Sequence, residues 1–313
     1  MNPSVAIEIR ELTRSFGDTV AVVALSLDVH RGELFGLVGP DGAGKTTTMR
    51  MLAGVLPPTS GDAWILGASV STSPERVKHH IAYMSQRFGL YTDLTVEENI
   101  RFYADVYRVP NRERASRLRR LYEFSNLAPF AGRLAGQLSG GMKQKLSLCC
   151  ALIHRPDVLL LDEPTFGVDP ISRRDLWLII HQMVSEGVTV FVSTAYLDEA
   201  ERCDRIAMLN HGRAVAVDAP QTIQETLGHR ILTVLTDDPR TARNVAQAAS
   251  SVQRVSLFGA SLHLTFQDPE RDWPEVRDRF VAAGLKIHDV ATVAASLEDA
   301  FIHVVSQTGR PDA

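Results

Sequence analysis

The sequence predicts an α/β protein in two parts: a first domain with a mixed sheet and a helical subdomain, then a smaller α+β domain. Three observations carry this reading. The short apolar run "ELFGLVG" leads directly into a glycine-rich loop and a helical segment, the succession expected of a buried strand feeding a helix. Apolar runs of the same kind, "VLLLD" and "VTVFVST", recur between helical stretches, as in a parallel sheet covered by helices. Beyond Ala219-Pro220 the order becomes strand, helix, strand, strand, helix, strand.

Each element follows from its pattern. "VAIEIRELTRSF" alternates, and "TVAVVALSLDV" follows a Gly17-Asp18 turn, so residues 5 to 38 read as strands. A helix from Lys45 to about Ala53 ends before Pro57-Pro58, and "GDAWILG" opens another hairpin. Residues 87 to 150 turn mostly helical and arginine-rich. There Thr95 and Glu98 make a capping box, with Val96, Ile100, Tyr103, Ala104 and Tyr107 on one helix face. The basic run "NRERASRLRR" reads as a solvated face. Helix 142–154, strand "VLLLD", helix 172–186, strand "VTVFVST" and helix 197–202 come next. Strands "RIAMLN" and "RAVAVD" meet at a His211-Gly212 turn and complete a domain of residues 1–220. Residues 221–313 have the βαββαβ order of a ferredoxin-like domain, with Ser296 and Asp299 capping its last helix.

Composition narrows the function. In 313 residues, 45% apolar and 22% charged content is that of a globular protein with a sizeable core. A net charge of −4 supplies no global field for nucleic acid, and no nucleic-acid partner is expected. No apolar run approaches a membrane span, and the first residues lack the layout of a signal peptide. The three cysteines form no disulfide or metal framework and are expected to be reduced and mostly buried, in a cytoplasmic protein.

The chemistry begins at "GPDGAGKTT", which fits the phosphate-loop pattern G-x-x-x-x-G-K-[ST] between a strand and a helix. Gly39, Pro40, Asp41, Gly42, Ala43 and Gly44 would wrap their backbone around phosphate, aided by the helix N-terminus at Lys45, Thr46 and Thr47. Lys45 would reach the β- and γ-phosphates, and Thr46 would ligate Mg²⁺. A bare match arises by chance in about one chain of this length in a hundred, and the strand–helix context makes chance rarer still. In "VLLLDEP" the strand end offers Asp162 to that metal, and Glu163 is set to polarise a water against the γ-phosphate. In "LSGGMKQ", Ser139, Gly140 and Gly141 open a helix and so make a second anion-binding N-terminus. A plain capped helix would account for the serine but not for two bare glycines.

With these three motifs in this order and spacing, the chain resembles the ATP-binding subunits of ATP-binding-cassette (ABC) transporters over about residues 5 to 220. The resemblance implies a P-loop NTPase fold of ABC type, with ATP and Mg²⁺ as ligands. It implies that "LSGGM" binds ATP held by a second nucleotide-binding domain, head to tail, and that membrane permease subunits are the other partners, at the cytoplasmic face of the membrane. Residue by residue, Gln86 is similar to the glutamine that touches Mg²⁺ and the attacking water. Phe16 is similar to the aromatic that stacks on adenine, with core packing as its rival role. Asp169 is similar to the aspartate that lies across the dimer interface. "LTVEENIRFYA", "LDEPTFGVDP" and "SLEDAFIHVV" resemble bacterial drug exporters with a separate permease, and "GLVGPDGAGKTT" and "STAYLDEAERC" the first ATPase domain of tandem exporters.

One departure stands out. Ala195, in "STAYLDEAE", occupies the position at which this family usually has a histidine bonded to the γ-phosphate. Neither His181, expected in mid-helix, nor His211, in a turn, replaces it. Loss of one such donor typically costs about 10² to 10³ in rate. Two functions are therefore in play: an export ATPase with a slowed site of its own, or an ATP-binding regulatory partner impaired in hydrolysis. The second cassette would be non-identical, with a homodimer as the alternative. A soluble ABC ATPase of translation or DNA repair fits less well, for want of a second cassette or a long coiled-coil insert.

Overall fold

The computed structural model describes residues 4–86, 89–226 and 231–308. Residue 87, the expected start of the helical subdomain, lies outside them. The chain divides into two compact units, residues 1–219 and 220–313, one residue before the expected boundary.

In the first unit the chain runs β1 (Val5–Phe16), β2 (Thr19–His30), β3 (Leu34–Val38), α1 (Lys45–Leu52), β4 (Ser60–Ile65), β5 (Ala68–Ser69), α2 (Pro74–His80) and β6 (Ile81–Met84). Then come α3 (Val96–Val106), α4 (Asn111–Ser125), α5 (Gly140–Leu152), β7 (Val158–Asp162), α6 (Pro170–Ser185), β8 (Thr189–Thr194), α7 (Leu197–Ala200), β9 (Arg205–Asn210) and β10 (Arg213–Asp218). Two sheets result. An antiparallel one is ordered β2-β1-β4-β5, and a six-stranded mixed one β10-β9-β3-β8-β7-β6. In the latter only β10 is antiparallel to its neighbour.

Strands β3, β7 and β8 are buried at every residue, because both faces of the sheet are covered. On one face Phe35, Leu37, Leu160 and Phe191 join Ile7, Ile9 and Leu12 of the antiparallel sheet and Met49 and Leu52 of α1 in one core. β3, β8 and β7 are adjacent and parallel, with Val38 beside Thr194 and Asp162 beside Ser193. Their carboxyl ends therefore converge on one crevice, where ligands of open α/β sheets bind.

Several boundaries depart from the pattern reading. α5 begins at Gly140 and not at 142, because the Ser139 hydroxyl accepts from the Met142 amide and holds the first turn. α6 begins at Pro170 and not at 172. The Asp169 carboxylate accepts from the Ile171 and Ser172 amides, and proline suits the first helical position. The short helix α2 has no counterpart in the pattern reading, since it buries only Val77. The Thr95–Glu98 capping box is present, and Val96, Ile100 and Ala104 are buried beneath it. The basic run is only partly solvated. Arg114 Nε donates to the Val109 carbonyl and Arg117 Nη1 to that of Ile153, each at 2.8 Å, which pins α4 to its neighbours.

The second unit contains α8 (Pro220–Glu225), β11 (Ile231–Thr236), α9 (Pro239–Gln247), β12 (Val252–Phe258), β13 (Ser261–Phe266), α10 (Pro269–Ala282), β14 (Ile287–Val293) and α11 (Leu297–Thr308). Its sheet is ordered β12-β13-β11-β14, antiparallel throughout, as in a ferredoxin-like domain. Val234, Leu262, Leu264 and Phe266 pack with Ala242 of α9 and Val276 and Phe280 of α10 in a separate core. Ser296 and Asp299 exchange capping bonds at the start of α11. Among the described residues, no helix is long and apolar enough to cross a membrane.

Candidate nucleotide site

The loop between β3 and α1 is built for anions. Gly44, the N-cap of α1, has φ of 103° and no side chain to cap the helix. A Cβ there would lie 2.5 Å from the Ala21 carbonyl oxygen, so glycine is required both by conformation and by space. The first amides of α1 are thereby left to meet a ligand. Pro40, Asp41 and Gly42 form the exposed tip, while Gly39, Ala43 and Gly44 are buried and Thr47 is half-buried.

Lys45 is only 4% exposed, and its ammonium is fully engaged. Nζ donates to the carbonyls of Gly39 at 2.7 Å and Pro40 at 3.1 Å, and pairs with Glu163 Oε1 at 3.1 Å. The other Glu163 oxygen accepts from Gln86 Nε2 at 2.8 Å. Glu163 has φ of 49°, a strained value for a residue with a side chain. Its amide donates to the hydroxyl of Ser193 at 3.0 Å, which holds the turn after β7 against the end of β8.

Asp162 is 1% exposed, and among the described residues its side-chain hydrogen-bond donors are hydroxyls. Oδ1 accepts from Thr46 Oγ1 at 3.1 Å and Ser193 Oγ at 2.8 Å, and Oδ2 from the Tyr83 hydroxyl at 3.4 Å. Burial, and then the Asp162 charge, push the Tyr83 phenol up to about 12, so it stays a donor at neutral pH. A buried carboxylate hydrogen-bonded by hydroxyls favours a cation beside it. The Thr46–Asp162 oxygen pair suits Mg²⁺, which takes one or two protein oxygens and fills its shell with water and phosphate. No cluster of three or more His, Cys, Asp or Glu ligands exists among the described residues, so no all-protein cage competes with this assignment.

The structure thus brings Lys45, Thr46, Gln86, Asp162 and Glu163 together. Ser193 and Tyr83 belong to the same cluster, and the pattern reading missed both. A hydroxyl at a buried strand end was the one available signal for Ser193. Phe16 ends β1 with 47% of its surface exposed, which removes core packing as its role. The Arg14 guanidinium lies 4.6 Å from its ring centroid. Ala195 is exposed just beyond β8.

Ser139, Gly140 and Gly141 show no hydrogen bond to the phosphate loop among the described residues. The two glycines differ. A Cβ on Gly141 would lie 2.3 Å from that of Ser172, so this glycine is required by the packing of α5 on α6 within the chain itself. That gives the second bare glycine a packing reason beside its place at the helix start. A Cβ on Gly140 would meet nothing nearer than the Gly167 carbonyl at 4.0 Å, so no such constraint applies to it. Asp169 caps α6, and the Ser172 amide and hydroxyl hold its carboxyl below the usual range. All three cysteines are buried, and burial pushes the Cys149 thiol up to about 12.

A phosphate loop, a buried metal-competent aspartate and an adjoining glutamate at the ends of a mixed sheet define a nucleotide-binding domain of the phosphate-loop class. Residues 22–166 match the family described as "ABC transporter". The chain is 43% identical over 295 residues to the probable multidrug ABC transporter ATP-binding protein YbhF of Escherichia coli. That alignment takes in 93% of the chain and 50% of the relative, so the chain spans about half of that protein's length. It is 36% identical over 308 residues, 98% of each chain, to the Nod factor export ATP-binding protein I of Rhizobium sp. strain N33. Among solved structures it is similar to the dimeric post-hydrolysis state of the ATP-binding cassette MJ0796 bound to ADP and Pi. There the identity is 25% and the TM-score 0.62, over 68% of this chain and 98% of that one. The chain belongs to the ATP-binding domains of ABC transporters, a family of ATPases coupled to transport.

Proposed function

We propose that the chain is the ATP-binding subunit of an exporter whose membrane permease is a separate polypeptide, acting at the cytoplasmic face of the membrane. The observation that carries this reading is the Lys45–Glu163–Gln86 and Thr46–Asp162 cluster at the ends of β3 and β7. The names of the relatives, multidrug and Nod factor export proteins, support the direction of transport and leave drugs or other hydrophobic compounds as the substrate class.

In this reading Phe16 stacks on adenine, and the loop amides of residues 39–47 cradle the phosphates. Lys45 exchanges its bond to Glu163 for the β- and γ-phosphates. Thr46 and Asp162, with Gln86, would hold Mg²⁺, which would supply positive charge to the phosphates. Glu163, released from Lys45, orients and polarises the attacking water, while Gln86 keeps one of its carboxylate oxygens in place. The α5 N-terminus at Ser139 and Gly140 binds the γ-phosphate of ATP held by a second cassette. Two nucleotides then close a head-to-tail dimer, and hydrolysis reopens it. The dimeric assembly named for the MJ0796 cassette supports this arrangement.

Ala195 supplies no donor at the strand end, which favours a slow site in this chain and a non-identical partner that keeps its histidine. The same observation supports the second reading, a regulatory partner that binds ATP but hydrolyses it poorly. Steady-state Mg-ATP hydrolysis with the partner co-purified from the native membrane separates the two. Ala195→His is expected to raise kcat of the purified chain by about tenfold or more, through a restored donor to developing charge. An unchanged kcat would show that the missing donor does not limit the rate.

Residues 220–313 have their own core and hold none of the residues named above. We assign them to dimer contacts or regulation. Truncation after Ala219 is expected to leave the Kd for Mg-ATP within about threefold of the parent. A loss of binding in a folded truncation would contradict that assignment.

A further inference from the structure

Glu199 is wholly buried, yet it lies outside the nucleotide cluster. Its Oε2 accepts from the hydroxyl of Thr194, the last residue of β8, at 2.7 Å, and from that of Thr165, in the loop after Glu163, at 2.9 Å. Its Oε1 forms an ion pair with Arg173 Nε at 3.2 Å, and among the described residues neither atom makes a hydrogen bond. Arg173 also reaches Asp198 at 3.2 Å and lies 4.4 Å from the ring centroid of Tyr196, whose amide donates to Thr194 Oγ1. One guanidinium and one buried carboxylate thus bind the strand end on either side of Ala195 to the first turn of α6.

That same turn supports the signature helix. Ser172, next to Arg173, lies against the bare Cα of Gly141, and one turn on Lys145 Nζ of α5 bonds Asp175 Oδ2 of α6 at 2.6 Å. The start of α6 therefore touches two places with different tasks. One is the strand end beside this chain's own phosphate loop. The other is the helix start that serves nucleotide held by a partner. The wholly buried Glu199 carboxylate has no other cation facing it among the described residues, so a shift of the strand end that moves Glu199 draws the Arg173 guanidinium, and with it the start of α6, along.

We propose that Arg173 and Glu199 are positioning residues that transmit the state of the chain's own ATP site to the signature at residues 138–144. The proposal rests on the nucleotide reading given above and adds the path by which one site informs the other. The Lys145–Asp175 bond and the Gly141–Ser172 approach remain when the Arg173–Glu199 contact is lost, so its loss weakens transmission without removing it.

Hydrogen–deuterium exchange on the full chain, at a concentration where light scattering reports a monomer, tests this without the partner. In the parent, Mg-ATP is expected to protect residues 39–47 and to change exchange at 138–144. In Arg173→Met/Glu199→Gln both charges of the pair are removed, and the glutamine carbonyl still accepts from Thr165 and Thr194. Its fold and the protection at 39–47 should match the parent, while the change at 138–144 falls by about 2- to 30-fold. Arg173→Lys keeps the charge but not the fork, and should lose part of the change. The proposal is overturned if both variants transmit the full change, or if the parent's loop is protected with no change at 138–144. Absence of protection at 39–47 in the parent would instead refute the nucleotide reading itself.

Discussion

Lys45→Ala is expected to lower Mg-ATP affinity by about 10²- to 10⁴-fold. A hydrogen bond to a charged group contributes about 1.5–3 kcal/mol, and an ammonium released from Glu163 can direct two at phosphate oxygens. The sum, about 3–6 kcal/mol, corresponds to that range of Kd. Lys45 is the one side-chain cation bonded to the loop carbonyls among the described residues, so nothing nearby substitutes for it. Glu163 keeps its bond from Gln86 and its amide anchor to Ser193, so the variant should still fold. Calorimetric titration with Mg-ATP, beside a melting curve, checks both statements. Parent-like affinity in the variant would remove Lys45 from the phosphate site.

The second large effect separates the two shared sites of the proposed dimer. Glu163→Gln preserves shape and should leave ATP bound but unhydrolysed in this chain's own site. Its general-base contribution is worth about 10²- to 10⁴-fold there. Gly140→Asp has room, since a Cβ meets nothing within 4 Å beyond the Gly167 carbonyl, so the fold should be unaffected. Its carboxylate would sit at the α5 N-terminus and repel the γ-phosphate of the partner's nucleotide. If the partner's site is the fast one, Gly140→Asp lowers turnover of the pair by about 10²-fold or more, and Glu163→Gln lowers it less. Should the isolated chain hydrolyse ATP at the pair's full rate as a homodimer, with Glu163→Gln abolishing it, the asymmetric reading fails. Ala195 would then be a tolerated substitution.

The frame of the molecule was legible because its signals are local. Period-two alternation marked β1, the Gly17-Asp18 turn introduced β2, the apolar run marked β3, and the glycine spacing marked the turn into α1, each within a dozen residues. The helix starts of α5 and α6 were misjudged by two residues. The Ser139 and Asp169 side chains carry the first-turn amides there, and such a cap extends a helix beyond its apolar period. Helix α2 escaped notice because seven residues burying one side chain leave no periodicity to detect.

By itself, the sequence determined the fold class, the order of the strands and longer helices, and the motifs of the proposed nucleotide site, since each is written in a contiguous stretch. Only the tertiary structure decided what those residues touch. Asp162 meets Thr46, Ser193 and Tyr83 because parallel pairing of β6, β7 and β8 aligns strand ends far apart in the chain. Gly141 is bare because α6 crosses α5 at Ser172, and Arg173 finds Glu199 because α6 returns past the end of β8. Contacts of this kind depend on register and helix crossing. Those are settled by packing over the whole core and leave no mark in any single segment.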